Sequence, residues 1–301
     1  MKYKLKSELT EKQIESDVAT YLGWCTPPSK QPFRLIDVNE QITGADKRFD
    51  NVFPIYLQFK VSEGLRPLNG PILNPYFKRF PLNKIRTFRQ SNFLNDNPSL
   101  YFKLRDLAKT ATELQHNILL KFANTGFSQA MYVAPLTLSK REYEEKLFDR
   151  HNRFMRYPFF DEDYEIYDYR WVSHIFQVPF LREHISIIPH ERVLDSNHYY
   201  SFTNTGTEVA FHSPLLLDNK DARFSTTLST LFDEMILNLK QERYYFENVI
   251  KATDRILETD YISDYNRENG LEILQQIGKE IYFRYDIRQF LLVFDSRKII
   301  R

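Results

Sequence analysis

The chain has few glycines and a single cysteine. Only 8 of its 301 residues are Gly, and none is arranged as GxGxxG or GxxxxGK[ST], so folds that hold nucleotide phosphates in a glycine-rich loop are disfavoured. Cys25 has no second cysteine to pair with, which excludes an internal disulfide framework, a CxxC redox pair and a multi-cysteine zinc site. A lone cysteine fits a reducing compartment, and we expect a cytoplasmic protein.

Long apolar runs and net charge are also missing. The longest apolar stretches, near 131–136 and 290–294, fall far short of the roughly 20 residues that a membrane-spanning helix needs. The N-terminus has no apolar signal segment, so no membrane partner is expected. Lys and Arg total 41 against 40 Asp and Glu, and any electrostatic partner must therefore be attracted by a local patch.

Apolar and aromatic side chains are plentiful instead. Hydrophobic residues make up 42% of the chain, with 25 Phe and 19 Tyr, which is too many for a disordered chain. At 301 residues the chain can bury a sizeable core and fits one large domain or two small ones. We divide it into residues 1–138 and a C-terminal extension of residues 139–301, which either completes the first part or forms a region for specificity and assembly.

Hydrophobic periodicity predicts an α/β fold. A first helix carries Ile14, Val18 and Tyr21 on one face. Strands are predicted over 33–38, 52–62, 130–135, 184–189, 199–203, 208–212 and 289–294, and helices over 84–89, 100–122, 139–154, 227–257 and 268–283. Because a strand, a helix and a strand follow one another in the first half, an α/β unit is expected there.

The strand predicted over 52–62 divides its side chains between two faces. Ile55 and Leu57 point to one side, while Gln58 and Lys60 point together to the other. Asp46 precedes Gln58 by twelve residues, and Glu15 lies on the first helix. Carboxylate and amide oxygens are ligands of hard divalent cations, and a lysine beside them can position the attacking water at a phosphate. The set predicts metal-dependent phosphodiester hydrolysis.

At these residues the sequence resembles the PD-(D/E)XK nuclease superfamily. The resemblance lies in the helix that carries Glu15, in Gly44-Ala45-Asp46, and in Leu57-Gln58-Phe59-Lys60, which is similar to the (D/E)-x-K strand. The segment that begins at Gln115 and continues into 130–135 resembles the helix and strand that follow. Together these parts cover roughly residues 8–138.

The resemblance implies an α/β fold with a mixed central sheet flanked by helices. It places a restriction-endonuclease-like core in residues 1–138 and leaves a C-terminal half of mixed helices and short strands. It implies cleavage of DNA, duplex more often than single-stranded, with Mg²⁺ or Mn²⁺ as the cofactor. The implied catalytic residues are Glu15, Asp46, Gln58 and Lys60, of which Glu15, Asp46 and Gln58 would hold the metal. An association with bacterial defence follows by analogy only.

Some assignments stay open. Gln58 stands where the family more often has Glu or Asp, and an amide oxygen binds a hard cation without adding charge. Glu11 and Asp17 compete with Glu15 for the role of the helix acid, and Asp50 competes with Asp46.

Positive charge is concentrated in residues 60–109, which contain ten Lys or Arg and three acids. Aromatic residues, Tyr76 and Phe77 among them, are interleaved with these cations, as in segments that contact phosphates and bases. The predicted nucleic-acid-binding residues are Lys78, Arg79, Lys84, Arg86 and Arg89. The alternative is an irregular surface segment whose cations pair with acids elsewhere.

Two other functions remain open at this point. If Gln58 marks a lost metal site, the chain would be a non-catalytic module that binds nucleic acid or a protein partner. If the aromatic helices of the C-terminal half form its interaction surface, it would be a structural interaction protein. Since many nucleases of this class cut both strands as dimers, a homodimer is expected from symmetry, and regulation by a partner protein is compatible with the sequence.

Overall fold

The structure, a computed structural model, describes residues 3–24, 33–37, 49–94, 97–148, 166–167, 172–173, 179–213, 215–217, 222–238 and 242–294. Asp46 and Cys25 lie outside the described residues. The strands are β1 (Lys4–Leu5), β2 (Phe33–Asp37), β3 (Asn51–Phe59), β4 (Glu63–Leu65), β5 (Ser99–Lys103), β6 (Gln129–Pro135), β7 (Ile166–Tyr167), β8 (Val172–Ser173), β9 (His184–Ile187), β10 (Tyr199–Phe202), β11 (Ala210–Phe211), β12 (Leu215–Leu216) and β13 (Arg288–Phe294). The helices are α1 (Glu11–Trp24), α2 (Pro75–Lys78), α3 (Pro81–Ser91), α4 (Gln115–Ala123), α5 (Lys140–Leu147), α6 (Pro179–Arg182), α7 (Phe224–Asn238), α8 (Phe246–Leu257) and α9 (Gly270–Tyr285).

A mixed five-stranded sheet has the order β2, β13, β3, β6, β9. Strands β3 and β6 are parallel and are joined through α4, whereas the other neighbours are antiparallel. Strand β13 lies between β2 and β3, with Arg288 opposite Leu57. The sheet therefore combines strands from residues 1–138 with strands from residues 139–301.

Both faces of β3 are covered, because apolar residues occupy both sides of the strand. Phe53, Ile55 and Leu57 pack in one cluster with Ile14 and other residues of α1. Val52 and Tyr56, on the other face, join a second cluster with residues of α4, α8 and α9. A strand buried on both faces reads as a near-continuous apolar run, and the predicted separation of the two faces is confirmed.

A second, antiparallel sheet has the order β1, β4, β5, β10, β11, β12. Phe102, Tyr200 and Phe211 of this sheet share a cluster with Tyr132 of β6. This common core, to which α4 also contributes, joins the two sheets. The predicted α/β class, with a mixed sheet and flanking helices, is confirmed for the described residues, and none of their helices is long and apolar enough to cross a membrane.

The helix predicted over 100–122 is wrong in its first part. Residues 99–103 form strand β5, and the helix begins only at Gln115. Leu100 and Phe102 are buried in the large cluster while Tyr101 is buried in a smaller one, so the strand is covered on both faces. Spacing alone does not separate a fully buried strand from a helix.

The long helix predicted over 227–257 is also wrong, because α7 and α8 are separate elements. Tyr245, directly before α8, has extended backbone angles (φ −65°, ψ 143°). Ser139 caps the next helix, α5, since its Oγ accepts the backbone N–H of Glu142 at 3.4 Å. Helix α5 ends at Leu147, and the last part of the helix predicted over 139–154 lies outside the described residues.

Candidate functional site

Gln58 and Lys60 lie at the carboxyl end of the central strand β3, and both are buried, with 1% and 4% of their surfaces exposed. The backbone N–H of Lys60 donates to Val133 O at 2.9 Å, which holds this end of β3 against β6. In open α/β sheets, ligands bind outside the carboxyl ends of the strands. The predicted pair therefore occupies the edge where a site is expected.

Gln115, the first residue of α4, connects the two side chains. Its Nε2 donates to Gln58 Oε1 at 2.5 Å, and its Oε1 accepts from Lys60 Nζ at 3.4 Å. The same Nε2 also donates to the carbonyl of Tyr285. The sequence predicted that Gln58 and Lys60 share a face, and their common contact with Gln115 confirms it. Gln115 itself was not among the predicted site residues.

The environment of Lys60 disfavours its charged form. Burial lowers the pKa of the Lys60 ammonium, and the positive charge of Arg105 acts in the same direction, whereas the carboxylates of Glu11 and Asp286 oppose the shift. Glu11 Oε1 lies 3.9 Å from Lys60 Nζ, too far for a strong hydrogen bond. A buried lysine with a lowered pKa is typical of functional sites, where such groups accept protons.

The helix acid beside Lys60 is Glu11, one of the two alternatives to Glu15. Glu15 lies one turn further along α1 and accepts from Arg288 Nη1 at 2.5 Å and from the Tyr282 hydroxyl at 3.3 Å. Arg288 Nη2 donates in turn to Asp37 Oδ2 at 2.6 Å. These residues line a pocket of about 460 Å³. The described contacts therefore engage Glu15 with Arg288, and its role as a metal ligand stays a prediction.

Replacing Glu15 should destabilise the fold. We expect Glu15→Gln to lower the free energy of unfolding by about 1–3 kcal/mol, because it weakens a charge-assisted hydrogen bond to Arg288 between side chains that are only 11% and 17% exposed. Urea denaturation measures the change. Glu247→Gln is the matched control, since Glu247 pairs with Lys251 at the same 2.5 Å on an exposed helix surface and such pairs contribute little. Equal losses in both variants would contradict the expectation.

Asp286 is a second carboxylate near Lys60 that the sequence did not reveal. It follows α9 in the left-handed conformation (φ 56°) and accepts from Arg105 Nη1 at 2.5 Å through its Oδ2. Its position follows from the sheet, because β13 begins beside the end of β3. No local pattern signals a contact between residues so far apart in the chain.

Among the described residues, no group of three His, Cys, Asp or Glu side chains lies close enough together to hold a cation. Glu11 and Asp286 are the two carboxylates that influence Lys60 there. Asp46 lies outside the described residues, so its predicted place beside Gln58 stays a prediction.

Two of the five predicted nucleic-acid-binding residues have structural partners. Arg89 is 2% exposed, and its Nη1 donates to Ser201 Oγ and Glu208 O, both at 3.1 Å. Arg86 donates to the backbone carbonyls of Arg66 and Pro67 at 2.7 and 2.9 Å. Contrary to the expectation, the side chain of Arg89 is buried rather than exposed to a nucleic-acid partner. Both arginines hold α3 against the body of the protein.

The other three predicted residues, Lys78, Arg79 and Lys84, are exposed. No carboxylate of the described residues forms an ion pair with any of them. The sequence explains this in part, because residues 64–95 contain six Lys or Arg and no Asp or Glu. These three side chains remain available to an anionic partner.

No family model, curated protein or solved structure matches this chain. The geometry around Lys60 and the exposed cations of α2 and α3 are therefore the basis for a functional proposal.

Proposed function

We propose that this chain is a divalent-metal-dependent endonuclease that acts on DNA, with Lys60 at the centre of a restriction-endonuclease-like active site. The observation that carries the proposal is a lysine that is only 4% exposed at the carboxyl end of a central strand, where its Nζ donates to the Gln115 amide at 3.4 Å and lies 3.9 Å from the Glu11 carboxylate. Burying such a charge destabilises a fold. Lysines are retained in such places where their chemistry is used.

Lys60 can perform two parts of phosphodiester hydrolysis. Burial lowers the pKa of the Lys60 ammonium, which favours the exchange of a proton between this amine and the attacking water. The resulting ammonium then stabilises the negative charge that develops on the phosphate oxygens. Gln115 fixes the amine in place, since its amide oxygen accepts from Nζ while its amide nitrogen holds Gln58.

The oxygen donors near Lys60 are of the kinds that hard cations prefer. Gln58 Oε1 accepts one hydrogen bond from Gln115 and keeps a second lone pair. Glu11 and Asp286 supply carboxylates whose side chains are 46% and 36% exposed, and Asp46 is the carboxylate that the sequence predicts. Mg²⁺ and Mn²⁺ prefer few carboxylates together with water and substrate phosphate. A bound cation would polarise the phosphate and acidify a water molecule.

Replacing the carboxylates one at a time should show which of them bind the metal ion. We expect Glu11→Gln and Asp286→Asn each to slow the cleavage of supercoiled plasmid at least tenfold and to raise the Mn²⁺ concentration required, because each removes an anionic oxygen beside Lys60. Asp46→Asn should behave likewise if the sequence prediction holds. Gel assays with Mg²⁺, Mn²⁺ and EDTA measure the rates.

The control for this series is Glu247→Gln on α8, which should cleave like the wild type. Cleavage that persists in EDTA, or that survives all three carboxylate replacements, would rule out the proposed metal site. Circular dichroism of each variant shows whether a loss of activity reflects a loss of fold.

The charge and hydrogen bonding of Gln58 favour a second candidate function. Its amide is uncharged, and both of its polar atoms are already engaged, the oxygen by Gln115 and the nitrogen by the Phe59 carbonyl at 2.9 Å. Such an arrangement suits a non-catalytic module that binds nucleic acid without a metal. Calorimetric titration with Mn²⁺ separates the two functions, because the module should bind DNA and give no heat with the cation.

A further inference from the structure

An exposed corner of the molecule combines aromatic rings with cations that form no ion pair with the described residues. We call it the α2–α3 corner and define it by Tyr76, Phe77, Lys78, Arg79 and Lys84. The two rings are 65% and 50% exposed, and because they lie side by side they form an apolar patch rather than two scattered residues.

The rings form an ordered cluster. The ring centroid of Tyr76 lies 5.8 Å from that of Phe77 and 5.3 Å from that of Phe80, and the Phe77 and Phe80 centroids are 6.1 Å apart. Phe80 is half-buried and supports the two outer rings from below. A flat partner can therefore stack on rings that are already positioned.

The corner is also held rigidly and is cationic. Arg86 bonds to two backbone carbonyls and lies 4.2 Å over the ring of Tyr3, and Arg89 bonds to β10 and to the segment before β11. These anchors keep α3 in place without using the exposed cations. Because residues 64–95 carry no acid, the corner complements a polyanion.

The corner is connected to the candidate active site at both ends. The segment that contains α2 and α3 leaves β3 just after Lys60 and returns through β5 to Arg105, which pairs with Asp286. The corner is therefore linked along the chain to Lys60 on one side and to Arg105 on the other.

We propose that the α2–α3 corner binds single-stranded DNA, by stacking unpaired bases on Tyr76 and Phe77 while Lys78, Arg79 and Lys84 contact the phosphates. This inference rests on the proposed nuclease function and specifies its substrate. The rings favour unpaired bases, because the bases of a duplex are already stacked on one another. A lipid surface suits the corner less well, because the four residues of α2 are too few for an amphipathic helix that lies in a membrane interface.

The test is fluorescence anisotropy of the full chain in EDTA, with an oligothymidylate of about 20 nucleotides and a duplex of equal length. We expect the double variant Tyr76→Ser/Phe77→Ser to bind the single strand at least tenfold more weakly and to leave duplex affinity within about threefold. Lys78→Gln/Arg79→Gln should weaken both and reduce the salt dependence. Phe283→Ser removes a ring that is 75% exposed on α9 and should change neither.

Equal losses on both DNAs, no binding of the single strand, or binding only to phosphatidylserine vesicles would each overturn the inference. Its failure is distinguishable from that of the nuclease proposal. Binding in EDTA requires no catalysis, and Glu247→Gln on α8, away from the candidate active site, should bind the oligonucleotide like the wild type. Ring-dependent binding without any metal-dependent cleavage of that oligonucleotide would leave the corner as a binding site and remove the nuclease.

Discussion

Lys60→Met is expected to abolish metal-dependent cleavage and, at the same time, to make the protein more stable. Removing a group that transfers a proton costs on the order of a hundredfold or more in rate. At pH 7 the free energy of unfolding should rise by about 1–3 kcal/mol, because methionine fills the same buried volume without a charge to desolvate. Plasmid cleavage and thermal unfolding of the same preparation measure the two effects.

The gain in stability should depend on pH. Since burial lowers the pKa of Lys60 below its ordinary 10.5, the unfolded wild type binds more protons than the folded one, and wild-type stability rises with pH up to about 10.5. The advantage of Lys60→Met should therefore shrink as the pH is raised. Lys251→Met, at an exposed lysine of α8, should shift stability by less than about 0.5 kcal/mol at any pH. A destabilised Lys60→Met would mean that the lysine is structural.

Acid should unfold the protein cooperatively between pH 6.5 and about 4. Burial lowers the pKa of His116 and of His184 to about 4, and that of His212, with help from Arg89, to about 3. Each folded pKa lies below the ordinary 6.5, so this stability is fully present above pH 6.5 and is lost as the pH falls through the window. About 3 kcal/mol for each histidine adds up to a large part of a typical total.

His184→Phe should move the acid midpoint down by about half a pH unit. His184 is fully buried, its Nδ1 donates to the Phe180 carbonyl at 3.0 Å, and its Nε2 has no partner among the described residues. Protonation of Nε2 therefore places a bare charge between aromatic rings. Far-UV circular dichroism across the pH range gives the midpoints. His190→Phe, at an exposed histidine, should leave the midpoint where it is, and an equal shift there would argue against burial as the cause.

The sequence was informative about the part of the candidate site that lies on one β-strand, β3. The alternation along β3 was sufficient to place Gln58 and Lys60 on one face, because side chains of a strand alternate whatever its neighbours are. It was not sufficient to show that this face is buried, since the burial comes from α4 and the C-terminal helices.

The ambiguity between Glu11 and Glu15 shows a second limit. Residues four apart share one face of a helix, so periodicity assigns both to the same side. Which of them meets Lys60 depends on where α1 sits over the sheet, and Glu15 meets Arg288 instead. Asp286 and Arg288 come from the other half of the chain, and their approach to β3 is fixed by tertiary pairing that no local pattern encodes.

The burial of Arg89 has a similar origin. A run of cations without acids correctly indicated an exposed basic surface at Lys78, Arg79 and Lys84. The same composition does not distinguish an arginine that faces solvent from one that donates to Ser201 in a neighbouring strand. Charge patterns therefore predict a surface better than they predict its individual members.

The position of β13 in the mixed sheet determines when, during synthesis, the sheet can finish folding. During synthesis β2 and β3 leave the ribosome early, but they are not neighbours, and the strand that separates them is Arg288–Phe294. Until that strand has been translated, the sheet cannot close, and neither Asp286 nor Tyr285 can reach the end of β3. A nascent or prematurely terminated chain would therefore lack an assembled Lys60 site. Under the proposed nuclease function, this delay would withhold cleavage activity until the chain has been translated past residue 294.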